Sequence, residues 1–273
     1  MLNISFAGAG NAAFRLSLSL KAAGCNVSYI WNRTPETAVT LAKILNKHEN
    51  NPHNLKVTIA TENISKLSDS DIILLTLSDD AIKDVFSIIS EFDSVKSGRT
   101  IVCHTSGATS IDVLNSIPNY GVFYPLMTLS KTKPVDMKIV PFLLESSDMP
   151  THEVLIKLCD YLGAEYRDCN SESRLRMHLA AVYVSNFVNY LLGLSYDISS
   201  PYHTFLLPLA TETVRKAFLY GHPGYVQTGP AARNDTTTIL KHLEILKDMD
   251  EHRAVYELIT KQIADSSIKF KKK

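Results

Sequence analysis

Over the first 168 residues, short apolar runs alternate with longer amphipathic stretches. Residues 2–7 form an apolar run that leads straight into Gly8-Ala9-Gly10-Asn11-Ala12-Ala13. Beyond this turn Ala13, Leu16, Leu20 and Ala23 recur at helical spacing until Gly24. Phe14, Leu16, Leu18 and Leu20 also alternate, so periodicity alone would allow a strand. The glycine turn before the segment and the apolar run at residues 27–31 after it decide for a helix. The pattern then predicts a helix over 35–46 with Pro35 in its first turn, a polar loop over 47–54 and a strand over 57–60. Residues 71–77 are almost continuously apolar, as in a strand covered on both faces of a parallel sheet. Ser78-Asp79-Asp80 is placed to cap a helix over 81–90. Strands follow at 99–104, 121–124 and 139–144, then a helix at 151–162 and a strand at 164–168.

This alternation predicts an α/β fold, a Rossmann-type doubly wound parallel sheet. From about Ser171 no further strand is convincing, and the chain reads as four helices. Their breaks are Ser199-Ser200-Pro201, residues 221–230 and a point near Asp248. The expected organisation is a nucleotide-binding domain over 1–168 and an all-helical substrate and dimerisation domain over 169–273.

Composition adds mainly exclusions. The 273 residues are 45% hydrophobic and 21% charged, as in ordinary globular proteins. The net charge of zero lacks the basic field of a nucleic-acid binder. With a strand predicted from Leu2 and no charged-then-apolar stretch before it, no signal peptide is expected, and no apolar run approaches the roughly 20 residues that span a bilayer. Cys25, Cys103, Cys159 and Cys169 show no metal-ligand spacing, so no metal is expected, and reduced thiols in a cytoplasmic protein are. The basic tail at 269–273 reads as a solvated terminus.

The glycine turn carries the cofactor chemistry. Gly8 permits a tight turn, Gly10 lets backbone approach a pyrophosphate, and small Ala13 lets the helix pack close to the strand. Gly8, Ala9, Gly10, Asn11 and Ala12 would hold the phosphates at the helix N-terminus. An NAD site usually ends its second strand on an acid that binds the ribose 2′-hydroxyl. Asn32-Arg33-Thr34 stands there instead, and a guanidinium suits a 2′-phosphate, which favours NADP. The competing reading makes Arg33 a solvated cation at a strand end. Leu77, Ser78, Asp79 and Thr105, at later strand ends, should line the same crevice.

Three residues are candidates for catalysis. His178, Val182, Asn186 and Asn189 recur along one helical face. His178 would donate a proton, Asn186 would polarise a carbonyl, and Ser106, in His104-Thr105-Ser106-Gly107, would place a hydroxyl near the nicotinamide. The alternative is that His178 and Asn186 are satisfied polar core residues, and that Gly107 merely serves a left-handed turn. Arg233 would bind a substrate carboxylate or pair with Asp235, and Asp235 has the position of a helix N-cap.

These residues resemble a bacterial family of candidate NADP oxidoreductases with a Rossmann-like domain and a C-terminal helical domain of unknown function. The resemblance rests on Gly8-Ala9-Gly10-Asn11-Ala12, His104-Thr105-Ser106-Gly107, Tyr124-Pro125-Leu126, Pro141-Phe142, residues 178–186 and residues 228–235. It covers nearly the whole chain. More distantly the chain is similar to pyrroline-5-carboxylate reductase, ketopantoate reductase and 6-phosphogluconate dehydrogenase-like enzymes. The resemblance implies an NADP cofactor and dimerisation through the helical domain. The expected function is an NADP-dependent reductase of a small oxo acid, aldehyde or imine, acting as a homodimer, and the composition leads us to expect no nucleic-acid or membrane partner. The family usually has His-Pro where this chain has Tyr124-Pro125, and Arg-Gly-Asp where it has Arg233-Asn234-Asp235. The lysine that serves hydroxyacid dehydrogenases has no counterpart in residues 179–192. Its absence keeps a second class in view, a dimeric dinucleotide-binding module without turnover.

Overall fold

The computed structural model describes residues 1–53 and 55–271. Asn54 of the expected loop, and the side chains of the expected solvated tail, lie outside the described residues. Eight strands form one sheet: β1 (Asn3–Ala7), β2 (Asn26–Trp31), β3 (Ile59–Thr61), β4 (Ile72–Leu75), β5 (Ile101–His104), β6 (Tyr120–Pro125), β7 (Phe142–Ser146) and β8 (Tyr166–Asp168). Their order is β3-β2-β1-β4-β5-β6-β7-β8. The sheet is the expected doubly wound one, parallel except that β7 runs antiparallel to β6 and β8 follows β7. The connection from β6 to β7 holds only a 3-10 turn at Met137–Ile139, with no crossover helix to bring the chain back parallel.

Helices α1 (Asn11–Ala22), α2 (Pro35–Leu45), α3 (Asp79–Ile89), α4 (Asp93–Lys96) and α5 (Met149–Leu162) surround this sheet. The apolar run in β4 divides by period two. Ile72 and Leu74 pack with Leu16 and Leu20 of α1, while Ile73 and Leu75 pack with Ile82, Phe86 and Ile89 of α3. Helix α3 starts at Asp79, and Ser78 takes the N-cap position without a side-chain capping bond, against expectation. Lys21 is fully buried, and its Nζ donates to Thr58 Oγ1 (2.8 Å), Asn46 Oδ1 (3.3 Å) and the Lys56 carbonyl (3.2 Å). Burial lowers its pKa. Cys25, Cys103 and Cys159 are buried free thiols, and burial pushes Cys25 and Cys159 up to about 12.

The remaining chain is helical: α6 (Ser171–Val182), a π-helical turn at Tyr183–Phe187, α7 (Val188–Ser199), α8 (Leu207–Leu219), α9 (Pro230–Arg233), α10 (Thr236–Ile245) and α11 (Asp250–Lys271). Two compact units result, Met1–Asn186 and Phe187–Lys273. Helix α6 thus falls in the first unit, where Arg174, itself buried, pairs with Glu145 of β7. A further expectation is corrected. The helical segment Ser171–Ser199 is long and apolar enough to cross a membrane, judged by length and composition. His178, Ser185, Asn186 and Asn189 interrupt its apolar positions to the eye, but none is an acid, lysine or arginine.

Candidate functional site

The carboxyl ends of β1, β2, β4, β5 and β6 supply the site. Gly8 follows β1 with φ +115°, and a Cβ there would lie 2.3 Å from the Thr76 carbonyl oxygen. Both the dihedral and the contact demand glycine. Gly10 is the N-cap of α1, and a Cβ there would meet no atom within 4 Å, so the helix end opens onto free space. No side chain caps α1 and its first turn holds no acid. Among the described residues the N–H groups of Asn11, Ala12 and Ala13 have no hydrogen-bond partner. Helix α5 differs, since Asp148 accepts from Thr151 N (2.7 Å) and supplies the carboxylate itself. Unmet donors and a bare dipole end fit the pyrophosphate of a dinucleotide. Ala13 is fully buried, as close helix-to-sheet packing requires.

At the end of β2, Asn32 braces the turn. Its Oδ1 accepts from Ala9 N (3.2 Å) and its Nδ2 donates to the Thr34 carbonyl (3.0 Å). Arg33 is exposed and, among the described residues, makes no hydrogen bond or ion pair. Thr34 precedes α2 with its hydroxyl free of capping. Ser78 and Asp79 are exposed at the end of β4, with Leu77 half-buried before them. The Thr105 hydroxyl donates to the Leu75 carbonyl (3.3 Å), tying the ends of β5 and β4 together.

The most distinctive polar contact was not foreseen. Tyr124, in β6, has its hydroxyl 3.0 Å from His178 Nδ1 in α6. Gly107 presses against both rings, for a Cβ there would lie 2.6 Å from His178 Nδ1 and 2.7 Å from Tyr124 Cζ. Gly107 has no positive φ, so close approach rather than a left-handed turn requires the glycine. Burial and the Asp79 carboxylate push the Tyr124 phenol up, and the Arg174 charge opposes them. Tyr124 is therefore a neutral hydroxyl at ordinary pH. Ser106 is buried, and its Oγ accepts from Ala108 N (3.1 Å) and Thr109 N (2.9 Å), so its hydroxyl shapes the loop and only its proton remains to be offered. His104 is fully buried, its Nδ1 accepting from Ser106 N (3.2 Å). Burial, reinforced by Arg174, pulls its pKa down to about 4 and keeps it neutral.

His178 is placed by what happens one turn earlier on α6. The buried Arg174 pairs with Glu145 of β7 and donates to the Thr109 carbonyl (2.6 Å) and Ser171 Oγ (3.1 Å). Glu145 also accepts from Ser171 N (3.0 Å) and Ser171 Oγ (2.8 Å), while Ile111 N donates to Ser171 Oγ (2.9 Å). Sheet, loop and helix are thus joined where His178 needs a fixed ring. Asn186 is not brought to it. Asn186 lies in the π-helical turn, is exposed and makes no hydrogen bond among the described residues. Ser185 instead meets Thr128 Oγ1 at 3.0 Å.

In the second unit Asp235 caps α10, accepting from Thr238 N (3.1 Å) and Thr238 Oγ1 (2.8 Å). Those bonds hold its carboxyl below the usual range. Arg233 is exposed, and its charge adds to the lowering of the Asp235 carboxyl without a direct ion pair. Asn234 adopts φ +57°, the left-handed region that glycine would also serve. Among the described residues no group of three or more His, Cys, Asp or Glu is placed to hold a metal.

Comparison with known proteins supports this anatomy. Residues 15–128 match the Rossmann-like domain family, and residues 140–263 match a domain of unknown function, DUF2520. No curated protein matches the sequence. Among solved structures, a candidate NADP oxidoreductase from Bacteroides fragilis is 31% identical, over 97% of this chain and 98% of that one, with a TM-score of 0.83. A Thermotoga maritima protein is 19% identical with a TM-score of 0.65 over 97% and 98% of the two chains. Pyrroline carboxylate reductase from Plasmodium falciparum, solved with NADP bound, is 11% identical with a TM-score of 0.57 over the same shares. The last two show a common fold. At 31% identity over 97% of its length, and with its Rossmann-like and DUF2520 domains in that order, the chain belongs to the same family as the Bacteroides fragilis protein.

Proposed function

We propose that this chain is an NADP-dependent oxidoreductase that passes hydride to a small oxo acid, aldehyde or imine. One observation carries the reading: the same sheet edge presents an uncapped, acid-free helix N-terminus behind Gly8 and Gly10 and a hydrogen-bonded Tyr124–His178 pair. The name and full-length similarity of the Bacteroides fragilis relative support it. Bound at this edge, the cofactor supplies the hydride. The chain supplies the rest. The free N–H groups of Asn11, Ala12 and Ala13 hold the pyrophosphate, and Arg33 holds the 2′-phosphate. In its cationic form His178 donates Nδ1–H to the Tyr124 oxygen, which fixes the ring, and Nε2–H remains to protonate the developing alkoxide or amine. Buried thiols at Cys25, Cys103 and Cys159 suit a reducing, cytoplasmic setting.

Cofactor choice tests this directly. NADPH should bind ahead of NADH, and Arg33→Ala should weaken NADPH by roughly 1.5–3 kcal/mol, about one to two decades, with NADH little changed. Calorimetric titration of both nucleotides into both proteins reads the difference, and equal affinities in wild type would refute the 2′-phosphate role.

The helical unit supports a homodimer. Neither α7 nor α8 has a buried residue, and in the second unit only Ala231, Ala232 and Leu246 are buried among the described residues. Phe205, Leu207, Leu209 and Phe218 are each at least 66% exposed, and a cavity of about 800 Å³ lined by Leu191, Leu206 and Val214 opens beside them. A continuous apolar surface of this kind marks an interface, and a second copy carries the same apolar faces to match it. Sedimentation at micromolar concentration should give a dimer; a monomer would reject it.

A further inference from the structure

We propose that Lys131 is a second cation of the 2′-phosphate site, reaching it from outside the glycine-turn motif. The inference rests on the NADP reading above. Lys131 lies in the helix-free connection between β6 and β7, far in sequence from Arg33. That connection is fastened to α1. The largely buried Arg15 donates from Nε to the Ser130 carbonyl (2.5 Å) and from a terminal nitrogen to the Lys131 carbonyl (2.8 Å). Asn11 Oδ1 accepts from Lys131 N (3.3 Å), and Asn11 is the first residue of the helix whose N–H groups face the pyrophosphate. The Lys131 backbone is thus held at both of its polar groups beside the cradle.

Its side chain leads toward the other half of the site. Lys131 shares a cavity of about 240 Å³ with Phe14 of α1 and with Glu36, Thr37 and Thr40 of α2. Helix α2 starts directly after Asn32-Arg33-Thr34, and Glu36 and Thr37 of its first turn line the cavity that Lys131 borders. The Lys131 ammonium is exposed and has no hydrogen bond or ion pair among the described residues. Arg15 cannot take this role, because its guanidinium is committed to carbonyl oxygens.

Charge gives the reason for a second cation. The first turn of α2 contains Glu36, whose carboxylate would repel a doubly charged phosphate placed beside Arg33. One guanidinium and one carboxylate together carry no net charge. An ammonium from the facing loop restores a net positive site and adds three donors. Arg15 acts as a positioning residue for the loop.

Titration of NADPH and NADH into wild type, Lys131→Ala, Lys131→Arg and the Lys131→Ala/Arg33→Ala double variant tests this. Lys131→Ala should weaken NADPH about tenfold and leave NADH within about twofold, since only the extra phosphate distinguishes the two. Lys131→Arg should keep the preference, and the double variant should bind both nucleotides alike. Unchanged NADPH affinity in Lys131→Ala makes the residue a solvated loop lysine and overturns the proposal. Equal weakening of both nucleotides places it on the pyrophosphate and overturns it as well. A wild type that binds neither nucleotide overturns the cofactor reading, and this proposal with it, whereas tight wild-type NADPH binding separates the two outcomes.

Discussion

Replacing His178 by Asn is expected to lower turnover by about 10²–10⁴-fold while NADPH affinity changes little, because general acid catalysis is worth that much and the cofactor contacts lie elsewhere. The expectation follows from geometry. His178 is hydrogen-bonded to Tyr124 at 3.0 Å and packed against Gly107, and no lysine or carboxylate stands on the helix between it and Tyr196. Asparagine keeps a polar side chain of similar reach but cannot transfer a proton near neutral pH. Tyr124→Phe should cost less, because it releases the ring without removing the acid. If His178→Asn keeps its turnover, or melts far below wild type, His178 is a core residue that fastens α6 to the sheet.

The second large effect should come from Arg174. Its side chain is 1% exposed, and Arg174→Met would leave the half-buried Glu145 without its cation. Breaking one side of such a pair typically costs about 3–5 kcal/mol. At about 2–4 °C per kcal/mol for a chain of this size, the melting temperature should fall by roughly 6–20 °C. Adding Glu145→Leu should recover much of the loss, since no buried charge remains. Thermal denaturation of the three proteins tests this, and a single variant within about 1 kcal/mol of wild type would show that the pair is solvated in solution.

The cofactor half of the site was legible because its signals are local. A run from strand to glycine turn to helix to strand occupies the first 31 residues, and Gly8 and Gly10 are explained by their own backbone positions. The proton-donor half was legible only in part. His178 stands out as a polar residue on an apolar helix, but its partner Tyr124 lies 54 residues away in a strand, and no local pattern links the two. Arg174 and Glu145 are 29 apart, and neither shows any local pattern that would mark an ion pair. Both belong to the first compact unit, Met1–Asn186. Helical spacing suggested a stripe from His178 through Asn186, but the π-helical turn at Tyr183–Phe187 breaks the regular period on which that reading depends. Periodicity also could not foresee that β7 would reverse direction, since an apolar strand reads alike either way.

The most direct test of the account follows NADPH absorbance while wild-type protein meets a panel of small 2-oxo acids, aldehydes and cyclic imines. The account predicts substrate-dependent loss of NADPH with at least one member, slower with NADH and nearly abolished in His178→Asn. Tight NADPH binding with no consumption across the panel would contradict it, and would leave a dinucleotide-binding module that does not turn over.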